Sequence, residues 1–278
     1  MYGAIYGDVI GSYYELHPTK DYDFPLRQES TFTDDTVLTV AVCDAVLAHP
    51  RPAAPLQFRR RAREYAARYR QYYHRFPYAG FGQMFAAWAK GSENRRQHSY
   101  GNGATMRAVP LGYAYETMEE VLQEVRLSCN STHWNKEAVY GAQAVAGSVF
   151  LAWHGHSKEE IRRFVEEKFH FRVSIPLQRL RPAYQFDSRT SYSVPPAITA
   201  FLESRDYEDA VRLAVSLGGD ADTMACIAGG IAQAYYRHIP NTIHEFCYRR
   251  VDIGLRQVAD EFCRQYCPEL LSDLKNQA

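Results

Sequence analysis

Two short acidic segments lie almost two hundred positions apart in this chain and offer the same chemistry. Residues 33–36 read Thr-Asp-Asp-Thr, and residues 218–223 read Gly-Gly-Asp-Ala-Asp-Thr. Each places two carboxylates beside a threonine hydroxyl, ahead of a run of apolar and small residues that predicts a buried helix. If the fold brings them together, carboxylates about 4 Å apart repel by roughly 4 kcal/mol per pair at an effective dielectric near 20. We therefore predict one divalent metal site, and oxygen ligands without nearby histidine or thiolate favour Mg²⁺ or Mn²⁺ over Zn²⁺.

Helix capping is the alternative explanation for each segment taken alone. Threonine and aspartate are favoured at helix N-caps, and acids in the first turn interact well with the helix dipole. A cap needs one acid, whereas both segments carry two. The Gly218-Gly219 pair before Asp220 also lets the backbone approach a ligand closely or take a positive φ, which an ordinary cap does not require. The shared pattern favours metal binding.

Three further segments carry groups that a phosphorylated ligand would require. Residues 99–104 read Ser-Tyr-Gly-Asn-Gly-Ala before a predicted helix, so backbone N–H groups could hold a diphosphate there, although Gly-Asn-Gly is also an ordinary turn. His133 precedes another helix and could bind a ribose hydroxyl or simply end the helix before it. Glu15 lies where the first helix is predicted to end, so its negative charge is repelled by the negative end of the helix dipole. A neighbouring metal or substrate would offset this repulsion.

Composition narrows the class of protein. The chain has 278 residues, 46% of them hydrophobic, and a formal net charge of zero, which argues against a nucleic acid or anionic membrane held by bulk electrostatics. The arginine run at 59–63 is interpreted as the solvated face of a helix. The six cysteines include no Cys-x-x-Cys pair and are expected to be reduced core residues. With neither a leader pattern nor an apolar stretch that could span a bilayer, we expect a cytoplasmic, monomeric protein.

Helical periodicity dominates the chain, so we predict an all-α fold in one domain covering residues 1–278. The connection at 170–197, which contains four prolines, is expected to be the least regular part. The predicted helices lie at about 2–13, 34–48, 55–73, 80–90, 103–116, 118–129, 135–154, 157–168, 206–217, 222–237 and 241–265.

Taken in order, these segments resemble the ADP-ribosylglycohydrolase family, which includes the dinitrogenase reductase-activating glycohydrolase and the animal ADP-ribosyl-acceptor hydrolases. The similarity covers most of the chain and is carried by residues 7–15, 33–36, 101–107, 132–133 and 216–223. It implies a compact orthogonal bundle of helices with two Mg²⁺ or Mn²⁺ ions at the mouth of an ADP-ribose cleft. Six residues fall on the family's metal ligands: Thr33, Asp34, Asp35, Asp220, Asp222 and Thr223.

The resemblance also implies where the ligand lies. Glu15 falls on the acid that borders the metals and the scissile bond in the serine-directed members. Gly101, Asn102 and Gly103 fall on the loop around the diphosphate, and His133 falls on a ribose contact. We expect the adenine to stack on an aromatic side chain near that loop, with Tyr100 as the first candidate.

A mechanism follows from the same resemblance. The metals would bind the 2″ and 3″ hydroxyls of the distal ribose and lower the pKa of a water that attacks C1″. Glu15 or Asp34 would take the proton of that water, and the sequence does not choose between them.

The acceptor is the least determined part of the reaction. Residues 65–92 contain no acid, although some arginine-directed relatives place one in this region, and residues 11–17 look more like the serine-directed members. We therefore expect release of ADP-ribose from a serine- or arginine-type side chain. The alternatives are a small ADP-ribose conjugate, an ADP-ribosylated nucleobase (the only case with a nucleic-acid partner), a non-catalytic ADP-ribose-binding module, and a structural helical protein whose acids are only caps.

Overall fold

The computed structural model describes residues 1–91 and 96–276, which form helices and connecting segments. Within these ranges the only β pairing is two isolated bridges, so the all-α prediction is confirmed. Two short 3₁₀ helices span Pro55–Gln57 and Asn102–Ala104. The α-helices of the described chain are α1 Tyr2–Leu16, α2 Asp34–Ala48, α3 Phe58–Arg75, α4 Gln83–Lys90, α5 Val109–Ala114, α6 Met118–Cys129, α7 Lys136–Trp153, α8 Lys158–Phe169, α9 Leu177–Leu180, α10 Thr190–Glu203, α11 Tyr207–Val215, α12 Ala221–Tyr236, α13 Asn241–Tyr248, α14 Ile253–Tyr266 and α15 Pro268–Asn276.

The prediction of an irregular connection at 170–197 is wrong from residue 190 onward, where α10 begins. There α10 continues through Pro195 and Pro196. A proline inside a helix leaves the carbonyl four residues earlier without its N–H partner. The carbonyl of Tyr192, which Pro196 deprives of a donor, instead accepts a hydrogen bond from the Tyr184 hydroxyl at 2.6 Å. A tertiary contact thus stabilises a helix that its own sequence disfavours.

Two predicted helices are shorter than expected. The segment 241–265 is divided into α13 and α14, because the side chain of Asp252 accepts hydrogen bonds from the N–H groups of Gly254 and Leu255 and starts a new helix. The segment 103–116 contains a 3₁₀ turn and then α5, which begins one residue before Pro110. Proline is favoured in the first turn of a helix, where its missing N–H is not needed.

Helices α1 and α12 run antiparallel with their backbones in contact. A Cβ atom on Gly7 would lie 2.1 Å from the carbonyl oxygen of Ala225, and one on Gly11 would lie 2.4 Å from that of Ala221. Only glycine permits this approach. The register of this contact carries the last turn of α1 to the amino end of α12, where the second acidic segment begins.

The buried side chains form one continuous hydrophobic core to which both ends of the chain contribute. All six cysteines are buried free thiols, as predicted. Over residues 1–91 and 96–276, the helices lack the combined length and apolar character that crossing a bilayer would require.

Candidate metal centre and ligand cleft

Three carboxylates meet where the end of α1 reaches the start of α12. One oxygen each of Glu15, Asp220 and Asp222 lies within 4.8 Å of the others. The two aspartates are buried and the glutamate is half-buried. Oxygens that share one cation at about 2.0–2.6 Å lie at most about 5 Å apart, so these three groups are close enough to hold an ion together.

The first turn of α2 is fixed to α1 by the carboxylate of Asp8. This fully buried side chain accepts hydrogen bonds from the N–H groups of Thr33 and Thr36, each at 3.0 Å, and from both of their hydroxyls. Thr33 is the N-cap of α2, and its hydroxyl accepts a hydrogen bond from the N–H of Asp35. These four hydrogen bonds to Asp8 fix the start of α2 and therefore the positions of Asp34 and Asp35, which both line the adjoining cleft.

A hydrogen bond joins the two acidic segments. The hydroxyl of Thr223 donates to Asp35 Oδ2 at 3.3 Å, across 188 positions of sequence. The structure therefore brings together the segments that the sequence pairs, and the role of their members as ligands stays a prediction. All six predicted ligands line the same cleft: Thr33, Asp34, Asp35, Asp220, Asp222 and Thr223.

Burial and mutual repulsion raise the pKa of the carboxylates in this cluster. Burial, followed by the charges of neighbouring carboxylates, raises the pKa of Asp34 to about 8. The same causes, in the same order, raise the pKa of Asp35 and of Asp222. Burial and then the charge of Asp220 raise the pKa of Glu15. A bound cation would remove this repulsion and keep the groups ionised.

One oxygen of the cluster is an orphan acceptor. Asp35 Oδ1 is buried and, among the residues that the structure describes, has no hydrogen-bond partner. A buried carboxylate oxygen without a donor is costly unless a cation contacts it. Hard oxygen donors of this kind suit Mg²⁺ or Mn²⁺, so the residues present fit the metals that the family resemblance implies.

The acidic cluster lines a cleft of about 410 Å³. Its other walls include the loop 101–103, His133 and two glycines of the connection before α4. One of these, Gly80, has a φ of +97°, and a Cβ there would lie 3.5 Å from Asp34 Oδ1. The backbone thus approaches the acid closely, in a conformation that side-chain-bearing residues rarely adopt.

The predicted phosphate loop is tied to the acidic cluster through Asn102. Its side-chain amide donates to Asp220 Oδ2 at 2.8 Å and to Ser193 Oγ at 2.9 Å. The N–H groups of Gly101 and Asn102 donate to Ser99 Oγ and to the carbonyl of Ser188, so neither is free for a ligand. Within this loop the N–H of Gly103 is the remaining candidate donor to a phosphate oxygen. Gly103 lies in the first turn of a 3₁₀ helix, where N–H groups have no acceptor within the helix itself.

His133 lies across the cleft from this loop, as the predicted ribose contact requires. Its ring is 3.4 Å from the position that a Cβ on Gly103 would occupy. Burial and then the charge of Arg107 hold the pKa of His133 well below its usual value, so the ring is neutral near pH 7.

The structure does not place Tyr100 in the cleft. Its side chain is 56% exposed and is not part of the lining, whereas its neighbours Ser99 and Gly101 are. Phe186, 53% exposed, lines the cleft instead. It lies in the connection before α10, where the proline-rich sequence offered no reason to expect a ligand contact.

Two buried residues of the site were missed in the sequence. Asp8 stands in a glycine-containing string and has no second acid beside it to mark it. Arg107 is fully buried and lines the cleft; its guanidinium lies 4.2 Å from the ring centre of Tyr69, and its Nε and Nη1 have no hydrogen-bond partner in the described chain. A polar residue at a core-facing position of a helix was the available signal for Asp8, whereas Arg107 lies in the turn before α5 and carried no such signal.

The sequence matches the family described as ADP-ribosylglycohydrolase over residues 1–271, and the chain belongs to this family. The all-α fold agrees with that assignment.

Individual relatives share low sequence identity with this chain but match it over most of their length. The chain is 26% identical over 333 residues to the ADP-ribosylhydrolase ARH3 of Homo sapiens, covering 90% of this chain and 89% of the relative. It is 25% identical to the uncharacterized protein YegU of Escherichia coli, with 85% and 86% covered. A solved structure named ADP-ribosylglycohydrolase-related protein complex superposes with a TM-score of 0.69 at 24% identity and covers 95% of both chains, which confirms the fold.

Proposed function

We propose that this protein is a metal-dependent hydrolase that cleaves the glycosidic bond at C1″ of ADP-ribose and releases ADP-ribose from a modified serine- or arginine-type side chain. Family membership supports ADP-ribose hydrolysis in general. The finer proposal rests on the contact between Thr223 and Asp35, which unites the two acidic segments on the wall of one cleft.

The carboxylates and threonine hydroxyls would hold two divalent ions, Mg²⁺ or Mn²⁺. When bound, these ions supply Lewis-acid chemistry at the ribose diol and at the attacking water. The protein's own contribution is to hold six oxygen ligands in place: Asp8 positions the α2 ligands, and Asn102 holds Asp220.

Substrate orientation depends on the opposite wall of the cleft. The N–H of Gly103 would contact the diphosphate, and the neutral ring of His133 would contact a ribose oxygen. Phe186 replaces Tyr100 as the aromatic side chain that we propose for the adenine, because it lines the cleft.

The proton of the attacking water is assigned to Glu15 or Asp34. Asp34 is one of the six proposed ligands, whereas Glu15 lies outside that set yet within 4.8 Å of two of its members. Glu15 therefore serves either as the base or as an additional ligand. Loss of turnover with retained metal in Glu15→Ala identifies a base, and loss of both identifies a ligand.

The direct test is release of free ADP-ribose from a panel of serine, arginine, nucleobase and O-acetyl adducts, with Mg²⁺, with Mn²⁺ and with chelator. We expect metal-dependent release from one or both side-chain adducts. Release only from nucleobase or O-acetyl adducts would reassign the substrate class. Binding of ADP-ribose without release from any adduct would reduce the protein to a binding module.

A further inference from the structure

The four arginines at 59–63 have three different environments. The interpretation of this segment as one solvated helix face is therefore wrong, because Arg61 is buried. Arg61 is 5% exposed and pairs with the buried Glu124. Arg60 pairs with Glu64 one turn along α3. Arg59 and Arg63 form no ion pair with any residue that the structure describes, and both line a surface groove.

This groove has a volume of about 480 Å³ and lies between α3, α6 and residues 131–134. Arg96 and Arg126 add two further exposed guanidiniums to its walls. None of the described lining residues is acidic. Four exposed guanidiniums in one concave site repel one another, and that repulsion falls when an anion binds between them.

Two indole rings also line the groove. Trp88 contacts one guanidinium, and Trp134 contacts two, those of Arg96 and, at 5.9 Å from its ring centre, Arg126. The Arg70 guanidinium lies 4.2 Å from the ring centre of Trp88, and the Arg96 guanidinium lies 4.4 Å from that of Trp134. Arginine binds phosphate with paired hydrogen bonds. Indole rings and guanidinium planes both stack on unpaired nucleobases.

We propose that this groove, which adjoins the cleft, binds single-stranded nucleic acid. Arg59, Arg63 and Arg126 contact the phosphates, and a base stacks on the Trp134–Arg96 pair. A phosphopeptide or inorganic phosphate would contact the arginines but would have no base to stack on the indole rings. The presence of both arginines and indole rings therefore favours a single-stranded nucleic acid as the ligand. The zero net charge is compatible with this site, because the positive potential comes from one local cluster.

The groove and the cleft are distinct cavities on two sides of shared elements. In α4, Phe85 lines the cleft and Trp88 lines the groove. Gln97 and His133 line the cleft, and their neighbours Arg96 and Trp134 line the groove. The inference concerns binding alone and holds whether or not the cleft is a hydrolase site.

The test is fluorescence anisotropy of a labelled single-stranded oligonucleotide of about twelve nucleotides, a length within the usual site size of such proteins. It carries no ADP-ribose, so the proposed activity of the cleft does not affect the readout. We expect saturable binding that weakens with salt and falls by at least about tenfold in Arg63→Glu/Arg126→Glu.

A matched variant controls for net charge. Arg163 and Arg249 are exposed and do not line the groove, so Arg163→Glu/Arg249→Glu should bind as the wild type does. Equal losses in the two double variants would show attraction by overall charge and overturn the proposal. Circular dichroism and melting curves verify that each variant is folded.

A second comparison tests the aromatic part of the site. Trp134→Leu should weaken the oligonucleotide but not inorganic polyphosphate of equal charge. If polyphosphate or a phosphoserine peptide binds the wild type as tightly as the oligonucleotide, the rings play no part and the assignment to nucleic acid is overturned.

Discussion

The guanidinium of Arg107 donates a hydrogen bond to the hydroxyl oxygen of Thr132 at 2.7 Å. The same hydroxyl lies 2.8 Å from Nδ1 of His133. Because the Thr132 oxygen accepts from arginine, its single proton is available to the imidazole. A Thr132 hydroxyl that donates to Nδ1 leaves the proton of the neutral His133 ring on Nε2, which faces Gly103 across the cleft. This tautomer presents an N–H donor to the cleft.

The tautomer of His133 is therefore predicted to depend on Thr132. Imidazole ¹⁵N shifts should show the Nε2–H form in the wild type and in Thr132→Ser, which keeps the hydroxyl. Thr132→Val removes it and should give a mixture of tautomers with weaker ADP-ribose binding. An Nδ1–H ring in the wild type would refute the relay from Arg107, since the tautomer was assigned from hydrogen-bond partners.

His133 also predicts a pH dependence of stability. Burial and the charge of Arg107 lower its pKa in the folded state, so as pH falls through about 6.5 the unfolded chain binds a proton that the folded chain excludes. The free energy of unfolding should decline on acidification by up to about 1.4 kcal/mol per pH unit from this group. His133→Gln should show a shallower decline in urea titrations between pH 7 and 5. Parallel profiles for the two proteins would contradict the prediction.

Asp8→Asn should weaken both folding and metal binding. An amide cannot accept all four hydrogen bonds from Thr33 and Thr36, and we expect the free energy of unfolding to fall by about 2 kcal/mol or more. Asp23→Asn is the control, because Asp23 is exposed, its carboxylate has no hydrogen-bond or ion-pair partner among the described residues, and the substitution removes the same charge. Chemical denaturation with and without Mg²⁺ measures both effects. Equal losses in the two variants would show that Asp8 acts only through its charge.

Gly7→Ala should separate α1 from α12. The added Cβ would lie 2.1 Å from a backbone oxygen that has no room to move, and we expect a loss of at least about 2 kcal/mol. In Gly82→Ala the added Cβ would meet nothing within 4 Å, so thermal stability should be unchanged. A normal melting temperature for Gly7→Ala would mean that the helix contact adapts.

Metal binding and turnover should separate by residue. Asp35→Ala and Asp222→Ala remove proposed ligands and should lose both the rise in melting temperature with Mg²⁺ and the release of ADP-ribose. Glu15→Ala should lose release while keeping much of that rise if Glu15 is the base. The exposed Asp23 provides the control, and Asp23→Ala should retain both properties. Full activity in Asp222→Ala would rule out a site built from both segments.

The part of this site that could be predicted from the sequence is the part where the same residue pattern occurs twice. Paired acids beside threonine marked residues 33–36 and 220–223, since the repeat favoured metal binding over capping, and the structure brings the two segments into contact. Asp8 carried no such mark, because its role comes from partners brought to it by the packing of α1 on α2. The fold, too, was predictable only in part. Helical periodicity located most elements, whereas α10 requires a tertiary hydrogen bond from Tyr184 that no local pattern contains.

The contact between α1 and α12 has a consequence for how the protein is made. The N–H of Gly3 donates to the side chain of Gln233, 230 positions later. At about 5–20 residues per second, a ribosome needs roughly 10 to 40 seconds to synthesise α12 after α1. During that interval α1 lacks its partner, and the nascent chain presents only one of the two acidic segments. The proposed divalent site therefore lacks the ligands of its second segment until α12 has been synthesised, and metal supply would act on the folding steps that follow.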